Sequence, residues 1–231
     1  MLTTDFVPGA PAWIDLGSPD PDAAAAFYGR VLGWEHQPLG TGTGLFTYEG
    51  RTVAAHVPAE PAGWTVYFRT RDAGRLGRDF AGLGRTYRHT DAQGARFGVW
   101  EGGERAGLDA VTSTGALAWL ELRSPDPAGS ALYYRSVFSW DVQRIPGAPG
   151  EFLRTEDAGP EHTFGAIVTD AEAYWLPYFE VADVDRAAGA ARVVDEPFDL
   201  PGVGRIAVVA DPFGARFGVM RSVTSESLPK R

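Results

Sequence analysis

Short stretches of strictly alternating apolar and polar residues run along this chain, separated by a few segments with a helical stripe. In residues 11–17, Ile14 and Leu16 fall on one side and Trp13 and Asp15 on the other, the two-residue period of a half-buried strand. Ser18-Pro19-Asp20-Pro21 then starts a helix, with Asp20 as N-cap and Pro21 at the first helical position. Ala23, Phe27 and Val31 recur at i, i+4, i+8 as one apolar stripe, and Gly33 is placed to end it. Strands are predicted over residues 34–38, 44–49 and 51–57, so the unit is β-α-β-β-β. After a short linker the order recurs in weaker form. A strand spans 64–70, a glycine-weakened helix 72–83, and strands 85–89 and 96–100 close a unit that reads as one strand short.

The plan then repeats. Strands are predicted at 117–123, 151–155 and 162–168, with a helix over 126–138 capped by Asp126-Pro127. A strand at 174–181, a helix at 183–191 and strands at 192–198, 205–210 and 215–220 complete it. Residues 13–34 (WIDLGSPDPDAAAAFYGRVLGW) and 119–140 (WLELRSPDPAGSALYYRSVFSW) align without a gap at an offset of 106, with ten of 22 positions identical. Unrelated segments would share roughly one, so the chain contains a duplication. Residues 91–100 (DAQGARFGVW) and 211–220 (DPFGARFGVM) match at seven of ten with an offset of 120, so the second half carries 120 − 106 = 14 extra residues in between. Two domains are expected, at 11–102 and 117–221, joined by a glycine-rich linker at 103–116. Tails lie at 1–10 and 222–231, the second of them expected to be disordered.

Composition narrows the partners. A net charge of −9, with Lys230 the only lysine, leaves no basic cluster for phosphate contacts and argues against nucleic acid. Without cysteine there is no disulfide, thiol nucleophile or thiolate metal site. No run approaches 18 apolar residues and no basic stretch precedes an apolar one at the N-terminus, so a cytoplasmic protein without membrane partner is expected.

Four β-α-β-β-β units in two pairs, the aromatic pairs Phe27-Tyr28 and Tyr133-Tyr134 late in the first helix of each half, and the closing D-P-x-G-x-x-F-G of residues 211–218 resemble the vicinal oxygen chelate superfamily. This is the group of glyoxalase I, bleomycin-resistance proteins and extradiol dioxygenases. The resemblance covers residues 11–221 and is nearest to tandem-domain glyoxalase/bleomycin-resistance-like proteins. It implies an α+β fold of curled sheets whose inner faces line cavities, and a pseudo-dimeric monomer, with a homodimer as the alternative. Metal-dependent members place His, Gln or Glu on the first and last strands of each unit. Carried over by strand alternation, those positions hold Trp13, Ala54, Thr65 and Gly98 in the first domain and Trp119, Gly165, Leu176 and Gly218 in the second. None is a usual ligand, so neither metal nor cofactor is expected at them.

The same alternation points Trp13, Asp15, Thr52, His56, Tyr67, Arg69, Arg96 and Trp100 into the first cavity. Trp119, Glu121, Arg123, Thr163, Tyr178, Glu180, Arg216 and Met220 line the second. A large aromatic opposite a glycine either leaves a slot for a planar molecule or fills the vacated space itself. Asp15 with Arg96, and Glu121 with Arg216, are expected as opposed charges that either grip a ligand or neutralise each other. His56 has Ile167 as its counterpart, and is the candidate for proton transfer together with Asp15 and Glu121. Two functions follow as expectations. One is metal-free binding of a small hydrophobic or aromatic molecule, with toxin or antibiotic sequestration as the concrete form. The alternative is a glyoxalase-type lyase or isomerase, or a metal-independent enzyme of specialised metabolism. The glycines of residues 40–44 (GTGTG) lack the strand-to-helix context of a phosphate loop.

Overall fold

The computed structural model describes residues 1–145, 150–156, 158–159 and 162–223; the expected C-terminal tail beyond 223 lies outside them. The first half runs β1 (Pro11–Ser18), α1 (Pro21–Leu32), β2 (Glu35–Gly40), β3 (Thr43–Tyr48), β4 (Arg51–Pro58), β5 (Gly63–Arg69), β6 (Arg78–Phe80), β7 (Gly84–Thr90) and β8 (Arg96–Gly102). The second runs β9 (Leu117–Ser124), α2 (Pro127–Phe138), β10 (Asp141–Arg144), β11 (Glu151–Arg154), β12 (Gly165–Thr169), β13 (Tyr174–Glu180), α3 (Val184–Gly189), β14 (Arg192–Leu200), β15 (Gly204–Ala210) and β16 (Arg216–Ser222). Each half is one eight-stranded sheet, ordered β2-β3-β4-β1-β5-β8-β7-β6 and β10-β11-β12-β9-β13-β16-β15-β14.

Both long helices begin as their sequences dictate. Asp20 accepts a hydrogen bond from the Ala23 N–H at 3.0 Å, Asp126 accepts one from Gly129 at 3.0 Å, and a proline follows each cap. Gly33 ends α1 in the left-handed region at φ 73°. The expected helix at 72–83 is absent. That stretch turns instead through Gly74 and through Ala81 and Gly82, all at positive φ, with only the short β6 between the turns. Four glycines in 74–84 weaken a helix that has no long apolar stripe to dock. The offset between halves is 178 − 67 = 111 at Tyr67 and Tyr178 and 218 − 98 = 120 at Gly98 and Gly218, so nine of the 14 extra residues fall here, and they supply a helix, not a strand: α3 occupies this place in the second half. A further strand, β10, lies where only its first-half counterpart was expected.

The sheets share one core. Phe68 on β5 packs against Tyr134, Trp140 and Trp175 of the second half, while Trp34 and Trp64 meet Phe179 and Tyr28 meets Phe217. Two polar contacts repeat the exchange. The Tyr28 hydroxyl donates to Asp211 at 3.3 Å, and Tyr134 donates to Asp91 at 3.0 Å. Asp91 and Asp211 also fold their own turns by accepting the N–H groups of residues two and four further on. The D-x-x-G-x-x-F-G motif is thus a turn that each half offers to the other half's helix. The helices cover one face of each sheet and leave an inner face, on which the candidate site is built. No helix is long and apolar enough to cross a membrane among the described residues.

Candidate functional site

Three side chains fill the inner face of the first sheet. Trp13 from β1 stacks flat on Trp100 from β8, with ring centroids 4.4 Å apart and planes 8° from parallel; Phe80 from β6 meets both edge-on at 5.7 and 6.1 Å. All three are buried, Trp13 at 1% exposure and Trp100 at 0%. Gly84 on β7 makes this possible, since a Cβ there would overlap the Trp100 ring. The Trp100 Nε1 donates to the Ala106 carbonyl at 3.1 Å, tying the segment after β8 over the stack.

Beside the stack lies a polar triad in which Asp15 and Tyr67 are buried and Arg88 reaches in from an exposed position. The Tyr67 hydroxyl donates to Asp15 at 2.5 Å; Arg88 from β7 reaches Asp15 with Nη2 at 3.0 Å and the Tyr67 oxygen with Nε at 2.8 Å. Tyr67 lies across Gly98 in the neighbouring strand, where any side chain would collide with its ring. Burial pushes the Asp15 carboxyl up, against the opposing pull of Arg88 and Tyr67. Burial raises the Tyr67 phenol well above its ordinary value, and the Asp15 charge raises it further. Arg88 is disfavoured as a cation by burial but held charged by Asp15 and Tyr67.

The second sheet builds a similar triad from different parts. The Tyr178 hydroxyl donates to Glu121 at 3.0 Å and lies across Gly218. Here the cation is Arg123 of β9, with Nη2 at 2.6 Å from Glu121 and 3.3 Å from the Tyr178 oxygen, and Nη1 at 3.8 Å from Asp170. Burial drives the Tyr178 phenol up, with Glu121 adding to the shift. The aromatic stack has no counterpart. Met220 stands where Trp100 stands in the first half and Leu200 where Phe80 does; both are smaller, and Trp119, at the place of Trp13, is left half-buried against Phe152 at 6.3 Å. Leu176, Ile206 and Val208 floor this cup.

Several expected placements are corrected. Asp15 pairs with Arg88, not Arg96, which lies exposed at the end of β8. Glu121 pairs with Arg123, not Arg216, whose guanidinium lies over Tyr174 at 5.4 Å and bridges Glu172 at 3.4 Å. His56 does not face the cavity. Its ladder neighbours are Leu16 and Gly44, which places it on the helix-covered face beside Phe46. Between Thr52 and Ala54 the β3–β4 ladder carries a bulge, with Thr47 opposite Thr52 and Phe46 opposite Ala54. One extra residue reverses the alternation, so Ala54 and His56 turn outward and Ala55 lies beside Asp15. In the second sheet Ala166 rather than Gly165 stands beside Glu121. Phe80, Arg88 and Phe152 help build the cups but are missing from the expected lining. Arg88 had a readable signal: once Gly98 faces inward, antiparallel pairing sets Arg88 opposite it.

The donor chemistry at the superfamily's metal positions does not fit a metal ion. Trp13, Gly98, Trp119 and Gly218 bring no side-chain donor, and among the described residues no three His, Asp or Glu side chains converge as a metal-holding group. A cleft of about 910 Å³ opens where the N-terminal segment meets the end of α2, but none of Trp13, Asp15, Tyr67, Trp119, Glu121 or Tyr178 lines it.

No protein-family model matches the chain. CFP32 of Mycobacterium tuberculosis, named as a glyoxylase candidate, is 30% identical over 252 residues, covering 94% of this chain and 97% of the relative. The anthracycline biosynthesis protein DauV of Streptomyces sp. strain C5 is 32% identical over 273 residues, with 94% of each chain covered. Among solved structures, the Mn(II)-bound glyoxalase from Novosphingobium aromaticivorans superposes with a TM-score of 0.66 at 16% identity, over 95% of this chain and 85% of that one. With the duplicated units, the two curled sheets and these relatives in agreement, the chain belongs to the vicinal oxygen chelate superfamily, among its tandem glyoxalase-like members.

Proposed function

We propose that the second sheet's cup binds a small hydrophobic or aromatic molecule, without a metal ion at the superfamily positions, and that the first sheet's cup is closed by its own side chains. One observation carries this reading: of the seven tryptophans, six are buried, and only Trp119, in the cup that lacks the stack, is not. A half-buried indole above Met220, Leu176 and Val208, with Glu121 and Arg123 beside it, offers a planar apolar surface and two polar anchors. Arg123 is already neutralised by Glu121 and Asp170, so the anchors orient a ligand through hydrogen bonds rather than through a free charge. The DauV resemblance suits a fused-ring aromatic, and sequestration of a toxic or antibiotic compound is the concrete form. The chain acts as a cytoplasmic monomer whose halves pair with each other.

Titration with a panel of fused-ring aromatic compounds tests the reading. Saturable quenching of tryptophan emission is expected, lost in Trp119→Phe while calorimetry still registers heat of binding. Quenching that survives Trp119→Phe, or no binding by any compound, overturns it. The relatives named for a glyoxylase and for biosynthesis favour a second reading, an enzyme with Glu121 as proton acceptor beside Tyr178. It requires product formation from a bound compound, abolished in Glu121→Gln with affinity kept.

A further inference from the structure

His36 and His56 form a feature that neither cup uses. Their rings stand 5.9 Å apart, centroid to centroid, at 87° to one another, on the helix-covered face of the first sheet. His56 is fully buried. Neither of its ring nitrogens nor the buried Nε2 of His36 has a well-formed hydrogen bond; the one backbone group acting on His56 is that of Gly42. Three buried imidazole nitrogens with no well-formed hydrogen bond call for something that occupies them, since each loses its hydration on folding.

The fold does not require histidine at either place. By the matched ladders of the two sheets, Val142 stands at the position of His36 and Ile167 at that of His56. Both members differ together, so the pair is a unit. Gly44 is part of it: it lies between the two on β3, and a Cβ there would overlap the His36 Nε2. The glycine allows His36 to lie over the strand toward His56.

We infer that His36 and His56 together hold a late first-row transition-metal ion, copper in its singly charged state foremost. The site lies on the opposite face of the sheet from Trp13 and Asp15, so it is separate from the superfamily's metal positions. An ion held at about 2 Å by one nitrogen of each ring fits between centroids at this separation. Imidazole suits copper and zinc alike. With no third His, Asp or Glu side chain converging among the described residues and apolar Phe46 alongside, a single charge is far less costly to bury than two. Burial holds both imidazoles below their ordinary value, against Asp22 at His36 and the Gly42 backbone at His56. His36 is only half-buried, and the β2–β3 hairpin of Gly40, Thr41 and Gly42, all at positive φ, forms the turn beside it, which provides the entry.

The test titrates the full chain with Cu(I) under anaerobic, reducing conditions against a competing chelator, and counts metal after desalting. One ion per chain is expected. His36→Val and His56→Ile, which copy the second sheet, should stay folded and weaken binding by more than the roughly 10–100-fold that loss of a supporting residue costs. Nitrogen-15 spectra of the histidine side chains give an independent readout, in which Cu(I) should move the signals of His36 and His56 and leave His89 and His162 in place. Absence of competitive binding, binding unchanged in both variants, or shifts confined to His89 and His162 overturns the inference. Because the site lies in the first sheet and Trp119 in the second, aromatic compounds should still quench Trp119 in both variants.

Discussion

Each sheet sets a carboxylate beside a tyrosine that lies across a glycine, yet the two halves draw the neutralising arginine from different strands. In the first half Arg88 comes from β7, and Gly17 stands where the second half has its arginine on β9. In the second half Arg123 supplies the charge from β9, and Val208 stands at the place of Arg88. What the architecture demands is a cation beside the acid, and its origin is free. The consequences differ. Asp15 is 1% exposed and depends on Arg88, whose own side chain is 51% exposed; Glu121 and Arg123 are evenly placed, at 17% and 20%. The aromatic positions diverge in the same sense, for Trp100 and Phe80 close the first cup while Met220 and Leu200 leave the second open. One half is built as packing and the other retains a surface on which something can be laid.

The sharpest way to break this contrast is to truncate the paired tryptophans. Trp13→Ala should destabilise by roughly 3–5 kcal/mol, because a buried, stacked ring is lost and leaves a cavity. Trp119→Ala should cost about 1 kcal/mol or less, since the ring is half in water. Equal losses in urea unfolding would mean that the cups are packed alike.

The arginines come next. Arg88→Met strands a buried carboxylate that keeps only the hydroxyls of Tyr67 and Thr65, and about 3 kcal/mol is expected, the low end for a broken buried pair. Arg123→Met should cost nearer 1 kcal/mol, because Glu121 reaches solvent. Adding Val208→Arg to Arg123→Gly transplants the first half's solution and should recover most of the loss. Failure to recover would show that strand of origin matters after all.

The smallest effect is a slope. Burial holds Asp211 above its ordinary 3.8, against the pull of the Ala215 and Phe213 N–H groups and of Tyr28. The folded chain takes up this proton before the unfolded chain does. Asp211 therefore adds stability as the pH falls through its folded value, and the gain is complete below 3.8. Asp211→Asn should flatten that part of a stability–pH profile; an unchanged profile would remove Asp211 from the account.

Much of the fold was readable because it rests on local rules: the Asp-Pro caps of α1 and α2, two-residue alternation in β1 and β9, and a repeat that is visible by eye. The inward row of Trp13 and Gly98 follows from the same alternation. What escaped depends on longer-range geometry. A bulge in β3–β4 turned His56 to the other face, and nothing in R-T-V-A-A-H-V announces where one extra residue will be absorbed. Arg88 was missed because which of two inward arginines meets Asp15 depends on register between distant strands. The helix expected at 72–83 failed because glycine-rich sequence without a docking stripe turns as readily as it coils.

The exchange of Tyr28 for Asp211 and Tyr134 for Asp91 also bears on how this protein can be divided. Although the duplication invites cutting the chain at the linker, each half closes its core only with rings lent by the other. A half produced alone would present an orphaned tyrosine and an uncovered aromatic wall, and would be driven to recruit the missing half or a second copy of itself. The unit that folds is thus the pair, and the gene joins two halves that are neighbours by design and independent only in sequence.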